Sequence, residues 1–205
     1  MIRYMKRLVF LPLIAAFLFS MSGADAREVL SINEEWTFTP SRSVSSGRFF
    51  GGGAGQTVDL PHTWNASDFM DNAGYRRGYG TYTKQLDIPD EYRGKRVFLK
   101  FEGAGSMATV LVNNQIVGEH KGAYNSFVFE ITRNLRIGAT NTVTVICNNE
   151  QRFDLAPQGG DFNIYGGLYR DAWMIVTEPE CISPLYFGSN GVLIHQNLVN
   201  DRRAE

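Results

Sequence analysis

The sequence predicts an all-β fold, an antiparallel β-sandwich of the jelly-roll type, and three observations support that prediction. From residue 27 onward no window shows the period of about 3.6 residues that marks an amphipathic helix. Many short runs instead alternate apolar and polar residues, which is the pattern of a half-buried strand. Turn-forming residues separate these runs, and without helices to make parallel crossovers the strands are expected to pair antiparallel.

The predicted strands follow one another at short intervals. In chain order they cover residues 82–88, 96–102, 107–112, 127–131, 143–147 and 168–176. Residues 107–112 and 168–176 are apolar at both odd and even positions, which predicts strands covered on both faces. Turns are expected at residues 90–94, 113–114 and 138–141, where Asp, Asn and Gly occur.

The composition is that of a globular protein. Hydrophobic residues make up 43% of the 205 residues and charged residues 20%, which is ordinary for a folded domain. The 20 Lys and Arg balance 21 Asp and Glu, so no excess charge recruits nucleic acid or an anionic membrane. The two cysteines are too few for a disulfide framework, and whether Cys147 and Cys181 pair stays open.

Residues 1–26 have the pattern of a secretory signal peptide. A positively charged N-terminal region with three basic residues precedes an apolar run at residues 8–19. Residues 24–26, Ala-Asp-Ala, match the pattern after which signal peptidase cuts. As a helix the apolar run would span about 18 Å, short of the roughly 30 Å of a bilayer core. We therefore expect a cleaved leader and an exported protein, periplasmic or extracellular, without a membrane anchor.

Two segments break the strand pattern. Residues 41–56 are rich in Ser, Gly and Arg and are expected to form a mobile loop. They lack the Lys-Ser/Thr pair and the following helix of a phosphate-binding loop. Residues 148–167 form a long stretch between two well-defined strands. Loops of that length inside a compact domain are usually functional, so this loop is the first candidate for a site.

Common catalytic and metal-binding patterns do not occur in the sequence. The three histidines are widely separated, the cysteines lack CxxC spacing, and there is no Gly-x-Ser-x-Gly motif. We therefore expect no metal site and no Ser-His-Asp catalysis. Sugar hydrolysis needs two carboxylates flanking the bond, and no second carboxylate can be assigned opposite Glu150. The pair Asn149-Glu150 is therefore interpreted as a polar loop edge.

Aromatic residues are abundant, with three Trp, nine Tyr and 14 Phe. Flat rings can bind the apolar faces of sugars, while Asp, Asn and Arg side chains bind the hydroxyls. Most of the rings are expected in the sandwich core, among them Trp36, Phe127, Phe129 and Trp173. The loop residues Asp161, Asn163 and Tyr165 do not follow a core period, so they are the candidate sugar-binding residues.

Four motifs are specific enough to compare with a known family. They are residues 60–65 (LPHTWN), 78–82 (GYGTY), 110–124 (VLVNNQIVGEHKGAY) and 161–171 (DFNIYGGLYRD). Together they resemble the N-terminal sugar-binding domain of glycoside hydrolase family 2, which includes β-galactosidases, β-glucuronidases and β-mannosidases. The last motif is similar to the family's D-F-x-x-Y-x-G-I-x-R-D-V segment and is the most specific. The order of these motifs and the spacing between them agree with those of the family's domain across residues 30–180.

The resemblance implies a galactose-binding-like jelly-roll sandwich at residues 27–182. Residues 183–205 are then a linker and the start of an immunoglobulin-like domain. In the family a (β/α)₈ barrel follows and carries both catalytic glutamates of a retaining mechanism. The chain is therefore expected to be truncated before the barrel and to hold no catalytic residue, with the missing domains as its partners.

The implied function is that of the sugar-binding domain of an exported exo-glycosidase that hydrolyses terminal β-linked sugars. β-Galactosides are the first candidate substrates. β-Glucuronides are the alternative, because residues 147–150, Cys-Asn-Asn-Glu, resemble that branch as well. A freestanding, non-catalytic carbohydrate-binding module is the alternative from a different functional class.

Asp161 is the residue to which the resemblance assigns a role most directly. In β-galactosidases and β-glucuronidases the first Asp of this segment contacts the terminal sugar, and in some β-galactosidases the equivalent carboxylate also binds a sodium ion. No other cofactor is implied. Asn72 and Arg76 lie near a second sugar contact of the family, but the local match is too loose to assign them. The neighbours Arg170 and Asp171 are expected to form an ion pair at the start of a strand.

Overall fold

The computed structural model describes residues 27–41, 44–45, 48–49, 54–68, 70, 76–156, 163–200 and 203–204. The predicted signal peptide, residues 1–26, lies outside the described residues, so cleavage and export stay predictions. Within the part of the chain that is described, no helix is long and apolar enough to cross a membrane.

The described residues form strands, turns and loops, with two short 3₁₀ helices at Asp90–Tyr92 and Thr132–Asn134. The strands are β1 (Arg27–Ser31), β2 (Trp36–Ser41), β3 (Val44–Ser45), β4 (Arg48–Phe49), β5 (Gln56–Val58), β6 (Tyr79–Ile88), β7 (Arg96–Phe101), β8 (Met107–Val112), β9 (Gln115–Lys121), β10 (Phe127–Glu130), β11 (Ala139–Asn148), β12 (Ala172–Thr177), β13 (Val199–Asn200) and β14 (Arg203–Ala204). The all-β prediction is confirmed.

Two antiparallel sheets form the sandwich. The smaller has the order β1-β12-β7-β10 and the larger the order β5-β2-β6-β11-β8-β9. Strand β11 is central to the larger sheet, where its last residue, Asn148, lies opposite Tyr79 of β6 and Met107 of β8. The two-stranded pairs β3–β4 and β13–β14 lie outside these two sheets. The predicted antiparallel sandwich is therefore confirmed.

The core lies between the sheets and is built from alternate residues of the strands. On β11, Val143, Val145 and Cys147 are completely buried, while Thr142 and Thr144 on the opposite face are only partly buried. This is the period-two pattern that the sequence shows. Full burial of an aliphatic side chain of this size contributes roughly 1.5–3 kcal/mol relative to exposure, so the facing strands are held mainly by apolar contact.

The predicted core rings divide between the two faces of the sheets. Trp36 and Phe127 are buried in the core, and Phe129 packs against it partly buried. Trp173 is only partly buried, and its indole Nε1 donates to Glu102 Oε1 over 3.1 Å. The prediction for Trp173 is wrong because alternation along β12 turns it away from the face on which Met174 is buried.

The last predicted strand, residues 168–176, is shorter in the structure than in the prediction. It begins only at Ala172. Before that point the chain bonds to neighbouring loops, with the Leu168 carbonyl accepting from His62 N–H over 2.8 Å and the Asp171 carbonyl accepting from Glu102 N–H over 3.0 Å. Apolar composition alone does not distinguish these buried loop residues from strand residues.

The chain after β12 crosses the outer face of the four-stranded sheet. There Phe98, Val128 and Ile175 form a second, small buried cluster. Gly188 sits directly on this face, since a Cβ at that position would lie 3.1 Å from Val128 Cγ2. The predicted domain boundary at residues 182/183 falls within this crossing segment and stays a prediction.

Several connections meet at one end of the sandwich, which we call the loop end. Among the described residues they are 102–106, 122–126, 149–156, 163–171 and 76–78. The antiparallel register places them together, because the strand termini Tyr79, Met107 and Asn148 are paired in one sheet and Phe101 and Ala172 in the other. The described parts of the candidate loop, residues 148–156 and 163–167, therefore lie among other loops.

Candidate functional site

Two buried asparagines, Asn65 and Asn149, join the connections at the loop end. Their exposed fractions are only 4% and 0%. Asn149 Nδ2 donates to Asn65 Oδ1 over 3.1 Å, and the peptide N–H of Gly78 donates to Asn149 Oδ1 over 2.9 Å. Asn65 Nδ2 donates to the carbonyl oxygen of Arg76 over 2.7 Å. These bonds hold the loops together, because breaking one would leave a desolvated polar atom without a partner.

The same two asparagines hold the peptide groups on both sides of Tyr165. Asn149 Nδ2 donates to the carbonyl oxygen of Ile164 over 3.0 Å. The N–H of Gly166 donates to Asn65 Oδ1 over 2.7 Å. The Tyr165 side chain is nevertheless 46% exposed. The loop therefore presents an aromatic ring to solvent from a fixed backbone, as a sugar-stacking residue requires.

Two glycines let this loop lie directly on its neighbours. A Cβ at Gly166 would lie 1.9 Å from Cζ2 of Trp64, and a Cβ at Gly105 would lie 1.7 Å from the carbonyl oxygen of Tyr165. The Trp64 ring in turn stacks on Phe38, with ring centroids 5.8 Å apart and an interplanar angle of 16°. No side chain larger than hydrogen fits at either glycine without moving the loop.

The motif at residues 60–65 also contributes His62, which contacts the chain just after Gly166, where its backbone N–H donates to the Leu168 carbonyl. His62 Nδ1 lies 2.7 Å from the Tyr82 hydroxyl, and the His62 ring packs against Phe38 with centroids 4.8 Å apart. Burial lowers the pKa of His62 and raises the pKa of Tyr82. Both groups are therefore uncharged at neutral pH, and the contact between them is a neutral hydrogen bond.

The structure describes two of the three predicted sugar-binding residues. Asn163 is exposed and Tyr165 is half-exposed, and both lie in the stretch that leads into Gly166. Asp161 lies outside the described residues, as does Asn72. Contact of sugar with Asp161, Asn163 or Tyr165 stays a prediction. Arg76, which the sequence left unassigned, takes part in the site through its carbonyl oxygen.

Carboxylates in the first part of the loop are bound by neighbouring side chains. Burial and the nearby Glu150 carboxylate, which bonds to the Tyr79 hydroxyl, raise the pKa of Tyr79. Asp154 lies 2.8 Å from Arg152 Nε and 2.7 Å from Lys121 Nζ. These two cations lower the pKa of Asp154, so the carboxylate stays ionised throughout the ordinary pH range.

No group of three or more His, Cys, Asp or Glu side chains is placed to hold a metal ion among the residues that the structure describes. The sodium ion implied for Asp161 concerns a residue outside that part of the chain. The two cysteines are free thiols, with Cys147 buried and Cys181 partly buried. Burial raises the pKa of Cys147.

The expected ion pair between Arg170 and Asp171 is not formed. Asp171 Oδ1 accepts a hydrogen bond from Asn33 Nδ2 over 2.9 Å. Arg170 Nη1 donates to the carbonyl oxygens of Tyr124 over 3.0 Å and Glu102 over 3.3 Å. The prediction is wrong because the two neighbouring side chains have different partners, Asn33 for Asp171 and two backbone carbonyls for Arg170.

Sequence reasoning did not identify the two asparagines that organise the site. Asn65 closes the LPHTWN motif, but that motif assigns it no role. The interpretation of Asn149 as part of a polar loop edge is wrong, since its side chain is fully buried, whereas its neighbour Glu150 is exposed. The place of each asparagine in the chain could have indicated its role. Asn149 directly follows β11, and Asn65 follows a tryptophan that packs on the core.

Comparison with known families places most of the folded chain in one of them. Residues 55–179 match the family model described as glycosyl hydrolases family 2, sugar binding domain. That range covers more than half of the chain. It includes both buried asparagines and all three candidate sugar-binding residues.

Similar proteins include enzymes with two substrate preferences. A β-glucuronidase from Bacteroides fragilis is 43% identical over 189 residues, which are 92% of this chain and 26% of that protein. A β-galactosidase from Thermoanaerobacter pseudethanolicus is 32% identical over 167 residues, which are 78% of this chain and 22% of that protein. The chain thus spans about a quarter of the length of these curated relatives.

A solved structure supports the same relationship. Bacteroides uniformis β-glucuronidase 2, covalently bound to cyclophellitol-6-carboxylate aziridine, matches with a TM-score of 0.76 and 34% identity. The match covers 87% of this chain and 21% of that chain. The sandwich described above is therefore shared with a much longer protein.

Proposed function

The chain belongs to glycoside hydrolase family 2. From that premise we propose that it is the sugar-binding domain of an exported exo-glycosidase that acts on terminal β-glucuronides. Its own task is to place the terminal sugar. The carboxylates that break the glycosidic bond belong to domains outside this chain, in a double-displacement mechanism with one acid/base and one nucleophile. Placement of this kind contributes to rate by holding the reacting bond in position.

One observation carries the proposal, which is the arrangement around Tyr165. Asn65 and Asn149 bond to the peptide groups before and after it, while its ring remains half-exposed. An aromatic ring on a rigid backbone can stack on an apolar sugar face with little loss of conformational entropy. Asn163, exposed two residues earlier, is suited to bond a sugar hydroxyl.

β-Glucuronides are proposed ahead of the β-galactosides that the sequence first suggested. The β-glucuronidase relative is 43% identical to this chain, against 32% for the β-galactosidase. The solved β-glucuronidase that matches this sandwich is bound to a compound that carries a 6-carboxylate. β-Galactosides remain the alternative substrate that the experiments below must separate.

Asp161 is proposed to accept hydrogen bonds from hydroxyls of the terminal sugar. It lies a few residues before the anchored Ile164, so the loop that carries it is fixed at its C-terminal side. A carboxylate bond to a hydroxyl is charge-assisted and is stronger than a bond between neutral groups. A structural role, with Asp161 capping a turn, is the competing assignment.

The first experiment tests the division of labour between this chain and the rest of an enzyme. The purified chain should not hydrolyse nitrophenyl β-glucuronide or nitrophenyl β-galactoside. Methyl β-glucuronide should shift NMR amide signals of residues 163–166, and Tyr165→Ala should remove the effect while Tyr165→Phe keeps it. Turnover that Glu150→Gln abolishes would instead show that this chain is catalytic. Micromolar affinity of the isolated chain would favour the freestanding binding module.

The second experiment tests Asp161 in an enzyme with a catalytic domain. Residues 27–205 replace the matching segment of the B. fragilis β-glucuronidase, and kcat/KM is measured on the glucuronide and the galactoside. Asp161→Asn should lower kcat/KM on the glucuronide by about 100-fold, or ~2.7 kcal/mol, without changing the melting temperature. Unchanged kinetics with a lower melting temperature would show that Asp161 is a structural cap.

A further inference from the structure

A cleft lies at the loop end, on the side of the four-stranded sheet. Its volume is about 570 Å³, which lies within the usual range of small-molecule sites. The end of β7, the connection at residues 122–126 and Phe187 of the segment after β12 line it. The connection at residues 102–106 separates it from Tyr165, since Gly105 abuts Tyr165 on one side and Gly103 abuts Arg170 on the other.

Two exposed aromatic rings line this cleft. Tyr124 is 51% exposed and Phe187 is 61% exposed. The backbone of each is anchored, because Arg170 Nη1 donates to the Tyr124 carbonyl over 3.0 Å and Ser126 Oγ donates to the Phe187 carbonyl over 2.6 Å. Phe187 also has a positive φ of 49°, a conformation that persists only where surrounding contacts impose it. The backbone that carries each ring is therefore fixed, while the ring itself remains exposed to solvent.

The charged groups of the cleft leave a net positive charge. Glu102 accepts a hydrogen bond from Trp173 Nε1 over 3.1 Å and lies 3.6 Å from Lys100 Nζ, so a cation already balances its charge. Arg170 makes its hydrogen bonds through Nη1 to backbone carbonyls only, and it has no carboxylate partner among the residues that the structure describes. A guanidinium has five N–H donors and binds carboxylates in a bidentate manner.

We propose that this cleft is a second saccharide-binding site and that it takes an acidic sugar, a uronate residue within a longer glycan. The ring faces of Tyr124 and Phe187 bind the apolar faces of the sugar, and Arg170 binds its carboxylate. Asn125 and Ser126 on the same wall supply groups for the hydroxyls. This site holds the longer glycan near the first site, which is the proposed site around Tyr165. Binding here does not depend on the terminal sugar being bound at Tyr165.

The test is calorimetric titration of the purified chain with a hyaluronan tetrasaccharide, which alternates glucuronate and N-acetylglucosamine, and with its carboxyl-reduced form. The acidic form should bind at least about tenfold more tightly, because only it can pair with Arg170. Tyr124→Ala and Phe187→Ala should each weaken binding by about fivefold or more, since a few aromatic anchors carry most of the affinity at such sites. Arg170→Gln should remove the preference for the acidic form, and Arg170→Lys should retain part of it.

Two control variants separate this site from its surroundings. Tyr186→Ala removes a ring that is 54% exposed and contacts Phe187 edge-on with centroids 5.0 Å apart, but does not line the cleft. Since Ser126 Oγ still holds the Phe187 carbonyl, the affinity should fall far less than in Phe187→Ala. Tyr165→Ala removes the ring proposed to bind the terminal sugar, so the part of the binding that depends on Arg170, and with it the preference for the acidic form, should persist in this variant. The proposal is overturned if the chain binds neither form at millimolar concentration, if both forms bind equally, or if Tyr165→Ala abolishes binding.

Discussion

Asn149 Nδ2 and Asn65 Oδ1 lie 3.1 Å apart inside the loop end, where both residues are buried. The two residues are 84 positions apart in the chain. Through this pair the connection before β6 and the connection after β11 become one unit, on which the backbone of Tyr165 rests. The stability of the fold and the geometry of the site therefore depend on the same buried amides.

Asn149→Ala should destabilise the protein and disorder the site together. The substitution leaves the Gly78 N–H and the Ile164 carbonyl without the partners that they have in the native protein. We expect a loss of about 3 kcal/mol in the free energy of unfolding, because buried polar groups without partners are costly. For a domain of this size that corresponds to a melting temperature lower by roughly 6–12 °C.

Asn163→Ala is the matched control for Asn149→Ala. It removes the same amide group from an exposed position in the same loop and should leave the melting temperature within about 1 °C. Equal stability of the two variants in thermal unfolding would show that the buried amide network does not hold the loop.

Gly166→Ala should displace the loop from the sandwich. A methyl group there would overlap the Trp64 indole, whose nearest atom would be 1.9 Å away. Overpacking of this kind costs about 1–3 kcal/mol, and the displaced indole should change the tryptophan fluorescence.

Gly94→Ala serves as the comparison, because Gly94 has a φ of +83° but no atom within 4 Å of a Cβ. It should lower stability by about 1 kcal/mol through backbone strain and leave the tryptophan fluorescence unchanged. A fluorescence change in Gly94→Ala and none in Gly166→Ala would contradict the contact between Gly166 and Trp64.

Stability should decrease as the pH falls below about 6.5. Burial lowers the pKa of His62 and of His120 from the ordinary value of 6.5. Below that pH the unfolded chain binds protons that the folded chain does not, so acid favours unfolding until the lowered folded pKa is reached. Glu130, whose pKa Arg96 lowers, contributes only at more acidic pH, near and below its ordinary 4.5.

The measurement is the melting temperature at pH 7.5, 6.5 and 5.5. It should fall by a few degrees across this series in the native protein and by less in the double variant His62→Asn, His120→Gln. Asn keeps a polar atom near the position of Nδ1, which faces the Tyr82 hydroxyl, and Gln keeps one near Nε2, which faces the Gly122 carbonyl. An equally steep decrease in the double variant would assign the acid sensitivity to other groups.

The native protein should show one reactive thiol. Cys147 is buried and its pKa is raised by that burial, so its thiolate is scarce and inaccessible. Cys181 is partly buried at the surface, with Sγ 3.5 Å from Arg96 Nη1. Titration with Ellman's reagent should count one thiol before and two after denaturation. A count of zero in denaturant without reductant would show that the two cysteines pair in the isolated protein.

The strands of the sandwich differ in how far their sequence predicts them. On strands β7 and β11 every second residue, over 97–101 and 143–147, is apolar and packs on the core, and the prediction located both strands. Strands β1 and β9 lie at sheet edges with exposed or partly exposed side chains throughout, and no apolar period marks them. Their place in the sheets depends on backbone hydrogen bonds, which leave little trace in side-chain identity.

Local patterns in the chain were enough to establish the all-β class, the long loop after β11 and the family motifs, because each is a matter of residue order within a short window. The meeting of Asn65 with Asn149 is a different kind of fact. The sequence does not distinguish a buried asparagine from an exposed one. Whether an asparagine is buried depends on which residues the antiparallel register packs against it. That register aligns the end of β11 with the start of β6, and so encloses both amides beneath the loop that carries Tyr165.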